Sequence, residues 1–95
     1  MRRAAAVDEN QGEVVAALRA IGCSVTSLAG VGNGVPDLLV GFRQQTYLLE
    51  VKDGRKVPSK RRLTKPEQDW ALSWRGGEYA VVECAKDALK AVGAR

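Results

Sequence analysis

The stretch QTYLLEVK, residues 45–52, carries the strongest structural signal in the chain. Side chains alternate across a strand, so Leu48, Glu50 and Lys52 share one face and the residues between them share the other. Two opposite charges therefore continue a hydrophobic row. Burying a charge is costly unless it is paired or binds an ion. The pattern predicts an apolar strand that ends in a polar site.

Apolar periodicity and turn residues predict further elements on both sides of this strand. A Thr64/Glu67 capping box marks the start of the second helix. The order α-β-β-β-α-β-α indicates a single α/β domain over residues 1–95, with a mixed β-sheet flanked by helices. The predicted elements are helices 8–21, 64–74 and 85–93 and strands 23–28, 37–42, 45–52 and 78–84.

Composition excludes several chemistries. The chain has 95 residues, a net charge of +4 and no histidine, so neither a histidine-based triad nor a histidine-ligated zinc is available. Cys23 and Cys84 form no CxxC pattern, which favours two free structural thiols in a reducing cytoplasm. The apolar run near the N-terminus is too short for the core of a signal peptide, and no apolar segment is long enough to span a membrane. We expect a cytoplasmic protein with no membrane partner.

Asp37, Glu50 and Lys52 form the candidate site. GVGNG, residues 30–34, predicts a turn. Pro36 follows it and restricts the direction in which the chain enters the strand beginning near Asp37. If that strand neighbours residues 45–52, two carboxylates and one ammonium converge at one sheet end. Carboxylate oxygens and retained waters are what Mg²⁺ prefers, with phosphate oxygens completing its shell. The alternative is an idle, solvated Asp and Glu–Lys pair.

The arrangement of these motifs resembles a known nuclease family. GVPDLLVG is followed, thirteen residues after its aspartate, by the glutamate of LLEVK. This pattern is similar to the PD-(D/E)xK nuclease superfamily, and within it to the virus-type replication-repair nuclease (VRR-NUC) branch, from about residue 8 to residue 83. The resemblance implies a restriction-endonuclease-like fold. It also implies that Asp37 and Glu50 bind metal and that Lys52 positions the attacking water.

The resemblance implies two further site residues. The leading helix of the family carries a metal-binding glutamate, and ENQGEVVAALRAIG places Glu9 there, with Glu13 as the competing candidate. The family also carries a glutamine on the helix after ExK, which corresponds to Gln68 in TKPEQ. Gln68 is expected to support the catalytic site or the DNA backbone.

The activity implied by the resemblance is a Mg²⁺-dependent, structure-specific DNA endonuclease, with Mn²⁺ able to substitute. Its substrate would be branched DNA such as a Holliday junction, cut by a homodimer in DNA repair. Its setting would be the cytoplasm of a bacterial or virus-infected host cell. Two alternatives stay open. One is a catalytically idle DNA-binding module of the same fold, and the other is a site-specific nicking nuclease.

A basic loop follows the candidate site. Residues 55–65, RKVPSKRRLTK, contain no acid, and such clusters neutralise DNA phosphates without reading sequence. A merely solvated loop is the alternative. Trp70 and Trp74 are expected in the core or at a dimer interface rather than stacked on bases. The predicted DNA-binding residues are Arg55, Lys56, Lys60, Arg61, Arg62 and Lys65.

Overall fold

The structure, a computed structural model, describes residues 8–94 and shows a four-stranded sheet with helices on both faces. The element order confirms the predicted α-β-β-β-α-β-α arrangement. The helices are α1 (Gln11–Ala20), α2 (Lys65–Ser73) and α3 (Ala85–Ala91), with a 3₁₀ turn at Pro58–Lys60; the strands are β1 (Ser24–Ser27), β2 (Leu38–Phe42), β3 (Gln45–Val51) and β4 (Glu78–Val82). Within residues 8–94, no helix is long and apolar enough to cross a membrane.

The sheet is mixed, with strand order β1-β2-β3-β4. The first two pairs are antiparallel, and β3 pairs with β4 in parallel. A two-residue turn joins β2 to β3, and both Arg43 and Gln44 have positive φ, at 50° and 66°, as the twist of a tight hairpin requires. A parallel pair needs a crossover connection, which the basic loop and α2 supply. Strand β3 is therefore central, with a neighbour on each side.

The hydrophobic core lies on one face of the sheet, beneath α1 and α3. Leu49 and Val51 point into it and are almost fully buried. Helix α1 contributes Val14 and Leu18, which are spaced one turn apart. The remaining buried members are Cys23, Leu38, Val40, Val82, Ala88 and Val92.

The opposite face of β3 carries Leu48, Glu50 and Lys52, because side chains alternate along a strand. Helix α2 lies on this side, where the ring of Trp70 is 6.2 Å from that of Tyr79 on β4. No residue of α2 is fully buried. Helix α2 thus covers this face loosely and leaves the ends of the central strands open.

Helix α1 begins three residues later than predicted, and the reason is tertiary. Asn10 precedes the helix but makes no capping hydrogen bond with its side chain. Its Nδ2 instead donates to the carbonyl oxygens of Lys52 and Glu83, at 3.1 and 3.0 Å. Asn10 therefore ties the start of α1 to the chain just beyond β3 and β4.

Candidate active site

Asp37, Glu50 and Lys52 lie together at the end of the central strands. Beyond the last backbone pair of β2 and β3, the Asp37 carboxylate accepts a hydrogen bond from the Val51 N–H at 2.8 Å. Lys52 Nζ lies 3.8 Å from Glu50 Oε2. The three residues are only 9%, 3% and 8% exposed, respectively. The structure thus brings together the three charges that the sequence places at neighbouring strand ends.

Glu67, at the start of α2, is a further member of this cluster. Its Oε1 accepts hydrogen bonds from Lys52 Nζ at 2.9 Å and from the Thr64 N–H at 2.8 Å. Thr64 Oγ1 in turn accepts from the Glu67 N–H, which completes the predicted capping box. The sequence identified Glu67 only as a helix cap. Its contact with Lys52 depends on how α2 docks on the sheet.

The pKa of Glu50 is raised to about 9. Burial is the largest cause, followed by its hydrogen bond with Asp37 and the negative charges of Asp37 and Glu67. Lys52 opposes the shift but does not cancel it. Two carboxylates this close disfavour each other's ionisation unless a cation lies between them. The charge of Lys52 therefore does not offset the burial of Glu50 and its closeness to two other carboxylates.

Lys52 and Glu67 form a charged pair. Burial alone would lower the pKa of Lys52, but the hydrogen bond and charge of Glu67, together with the charges of Glu50 and Asp8, outweigh it and raise that pKa. Burial would likewise raise the pKa of Glu67, yet the hydrogen bonds from Thr64 and Lys52 lower it. Lys52 is therefore an ammonium at neutral pH, held by a carboxylate that does not belong to the Asp37–Glu50 pair.

The cluster fits a divalent cation that takes few protein ligands. Glu50 Oε1 is buried and has no hydrogen-bond partner among the described residues, an arrangement that is costly without a compensating ligand. No group of three or more His, Cys, Asp or Glu residues within positions 8–94 is arranged to hold a metal. Mg²⁺ commonly binds one or two carboxylates and keeps several waters. Asp37 and Glu50 match that requirement.

A cavity of about 310 Å³ gives access to these groups. The ends of β2 and β3 form its floor, and the glycine loop Gly32–Val35 and the first turn of α2 form its walls. Asp37, Glu50 and Lys52 all line it. The cavity has room for a phosphate group and several waters beside the two carboxylates.

The predicted third metal ligand, Glu9, is not brought to this cavity. Glu9 is exposed in the turn before α1, because its neighbour Asn10 is turned toward the sheet. Glu13 is also exposed and pairs with Arg55 at 3.9 Å. The acid from this segment that lines the cavity is Asp8. The structure therefore separates Glu9 and Glu13 from the Asp37–Glu50 pair.

Gln68, the predicted supporting residue on α2, faces away from the cluster. It is exposed, and its Nε2 donates to the Leu63 carbonyl oxygen at 3.1 Å. The preceding residue, Glu67, makes the contact with Lys52. One position along a helix turns a side chain by about 100°. The structure therefore places Glu67, and not Gln68, beside the catalytic candidates.

The basic loop borders the cavity but most of its cations are paired. Near the start of the loop, Lys56 pairs with Asp8, which lines the cavity, and near its end Thr64 lines the cavity directly. Lys60 and Arg62 are exposed and make no ion pair within the described part of the chain. The ion pairs are Arg55–Asp53 at 3.0 Å, Lys56–Asp8 at 3.1 Å, Arg61–Glu83 at 3.2 Å and Lys65–Asp69 at 2.6 Å.

Comparison with known proteins supports the fold assignment. No protein-family model and no curated protein matches the chain. Among solved structures, the chain is similar to a VRR_NUC domain with a TM-score of 0.57 and 28% sequence identity. The match covers 90% of this chain and 96% of that domain. The chain therefore has the fold of a VRR_NUC nuclease domain, which confirms the resemblance read from its D…ExK motif.

Proposed function

We propose that this protein is a Mg²⁺-dependent DNA endonuclease that hydrolyses phosphodiester bonds in branched DNA. The observation that carries the proposal is the unpartnered Glu50 Oε1, buried beside Asp37 and near the Lys52 ammonium. A fold that only needed a strand end would not maintain two buried carboxylates that repel each other. The VRR_NUC fold gives these charges a nuclease context.

The proposed chemistry assigns a role to each residue of the cluster. Asp37 and Glu50 would hold Mg²⁺, or Mn²⁺ in its place, which when bound polarises the phosphate and lowers the pKa of a water. Lys52 presents an ammonium to the same cavity, where it stabilises the negative charge that grows on the phosphate oxygens. Glu67 holds that ammonium at 2.9 Å.

DNA binding is assigned to the surface around the cavity. Lys60 and Arg62 are exposed on the basic loop and free of ion pairs in residues 8–94, so both are available to phosphates. Paired cations such as Arg61 and Lys65 must first release their carboxylates. Phosphate contacts position a protein without specifying bases, which suits an enzyme that recognises DNA structure.

We also infer a homodimer, because cutting two strands of a symmetric junction calls for two active sites. Isologous dimers are the commonest way to present two identical sites. Leu72 on α2 is 77% exposed and Trp74, just after the helix, is 37% exposed; Trp74 stacks on Trp70 at a centroid distance of 5.0 Å. These side chains support a self-complementary contact through α2.

The test of activity is incubation with labelled four-way junction, flap, splayed-arm and linear duplex DNA in Mg²⁺, Mn²⁺ or EDTA. We expect cleavage of the junction first and none in EDTA. Binding of every substrate without cleavage in either metal would favour an idle DNA-binding module. Cleavage of one strand at a fixed sequence in linear duplex would favour a site-specific nicking enzyme.

The test of assembly is sedimentation at micromolar concentration, with and without junction DNA. We expect a dimer that Leu72→Glu dissociates. Val57→Glu is the matched control for sedimentation without DNA, because Val57 is an exposed apolar residue outside α2. A wild-type monomer under both conditions would contradict the dimer.

A further inference from the structure

Glu67 is more buried than a helix cap needs to be. A capping box satisfies backbone N–H groups at an exposed helix end and requires no tertiary partner. Yet the Glu67 side chain is only 18% exposed, on a helix that has no fully buried residue. One of its oxygens accepts from both Thr64 and Lys52. A single carboxylate therefore links the start of α2 to the central strand.

Packing of the glycine loop against the start of α2 sets the position of Glu67. Gly34 has a φ of +81°, in the left-handed region that favours glycine. A Cβ at this position would overlap the Pro66 carbonyl and lie 2.9 Å from the Glu67 nitrogen. Only a glycine lets the loop pack directly against the first turn of α2. The loop that leads toward Asp37 therefore also sets the height of Glu67 above the cavity.

The position of Lys52 depends on competition between two carboxylates. Its ammonium lies 2.9 Å from Glu67 Oε1 but 3.8 Å from Glu50 Oε2. A lysine side chain is a flexible stem that carries a compact charge, so it moves readily to another acceptor. Without Glu67, Glu50 would be the ion-pair partner left to the ammonium among the described residues. Glu67 thus takes the hydrogen bond of Lys52 and leaves Glu50 with the longer ion pair.

We propose that Glu67 is a positioning residue, which holds the Lys52 ammonium away from Glu50 at a location set by the packing of Gly34 on the start of α2. The inference rests on the proposed nuclease function. It assigns to Glu67 the supporting role that the sequence resemblance gave to Gln68. The role requires the carboxylate of Glu67 and not merely the helix that it caps.

The kinetic test compares Glu67→Ala and Glu67→Gln under saturating junction DNA. Outer partners of metal sites are typically worth about 10- to 100-fold in activity or metal affinity. We expect Glu67→Ala to lower kcat by about that factor and to raise the Mg²⁺ concentration for half-maximal activity. DNA affinity in Ca²⁺ should stay within about twofold, because cations outside the cluster supply the phosphate contacts that dominate affinity. Glu67→Gln retains an acceptor and should recover part of kcat.

The control for helix stability is Ala71→Gly, which weakens α2 through the low helix propensity of glycine and lies outside the cavity lining. Its kcat should match that of the wild type. Gly34→Ala, by contrast, should reproduce the kinetic defect with Glu67 intact, because the added Cβ displaces the start of α2. Equal losses of kcat in Ala71→Gly and Glu67→Ala would overturn the proposal. Wild-type kcat and Mg²⁺ requirement in Glu67→Ala would overturn it as well.

A second arm does not depend on activity. Urea unfolding of metal-free Lys52→Ala, Glu67→Ala and the double variant measures whether the two residues are coupled. We expect the double variant to shift the midpoint by less than the sum of the single variants. Additive shifts would overturn the inference. If the wild type cleaves none of the DNA substrates but the shifts are non-additive, the nuclease proposal falls and the Glu67–Lys52 contact stands.

Discussion

The end of β3 and the basic loop that follows it are both rich in charge, but the fold treats them differently. Asp37, Glu50 and Lys52 are buried and held by elements distant in sequence. In residues 55–65 the side chains are mostly exposed, and most cations pair with nearby carboxylates. Buried charges are expensive to keep and to disturb, whereas exposed ion pairs contribute little. Large, specific effects are therefore expected at the strand end, and small, additive ones in the loop.

The largest effect is expected from the two carboxylates. Asp37→Asn and Glu50→Gln should each reduce cleavage by more than about 100-fold, since even the outer partners of metal ligands are worth about 10- to 100-fold. Junction binding in Ca²⁺ should change much less. Glu13→Gln serves as the control, because Glu13 is exposed and lies outside the cavity. Near-wild-type cleavage by either variant would remove that residue from the site.

The stabilisation of the protein by divalent cations should depend on the carboxylates at the strand end. A ligand present at about 100 times its Kd stabilises the folded state by about 2.7 kcal/mol. Mg²⁺ should therefore raise the melting temperature of the wild type but not that of Glu50→Gln. The metal-free variant should itself be at least as stable as the wild type, because it removes a buried acid that repels Asp37. Equal Mg²⁺ shifts in both proteins would place the ion elsewhere.

The basic loop should affect the salt dependence of DNA binding rather than the rate of cleavage. Lys60→Ala with Arg62→Ala removes two unpaired cations, and each phosphate contact contributes about −0.9 to the slope of log affinity against log salt. The slope should flatten by about 2 units per protomer, with a similar loss of affinity for every sequence. Lys86→Ala with Lys90→Ala on α3 is the charge-matched control. An unchanged slope in the loop variant would identify it as a solvated surface.

The smallest effect is expected at acid pH, for the contact between Asp53 and Arg55 where the basic loop begins. The hydrogen bonds from Arg55 lower the pKa of Asp53 to about 2, below its ordinary value of 3.8. The contact therefore stabilises the fold above pH 3.8, and this contribution is lost as the pH falls toward 2. Asp53→Asn should flatten the decline of the urea midpoint over that range. Asp69→Asn, which removes the exposed ion pair with Lys65, should leave the decline as in the wild type.

Local rules predicted much of this molecule. Alternation along residues 45–52 predicted a strand with one apolar face and an opposite face on which two charges continue an apolar row, and the structure has both. The capping box at Thr64 and Glu67 is present as expected. The element order follows from periodicities that involve only neighbouring residues. Such patterns can be read from the sequence because the forces that produce them act within a few positions of the chain.

Other features depend on how distant elements dock. The contact of Glu67 with Lys52 joins a helix cap to a strand end, and nothing in the spacing of those residues predicts it. Glu9 was expected at the site, but Asn10 turns toward the sheet and leaves Glu9 in solvent. Gln68 lies one helical position from the residue that reaches Lys52. A rotation of one residue about a helix changes its partner, so motif spacing alone cannot select between neighbours.

The sequence by itself determined the order of the elements, the apolar strand of residues 45–52 and the location of Asp37, Glu50 and Lys52 at strand ends. Those outcomes depend on side-chain alternation, capping and the apolar run of β3. The tertiary structure alone decided that Lys52 is held by Glu67 and that Gly34 packs against the start of α2. It also decided which cations of the loop are paired. These outcomes depend on where α2 and the loop settle on the sheet, and that placement is set by packing across the whole domain.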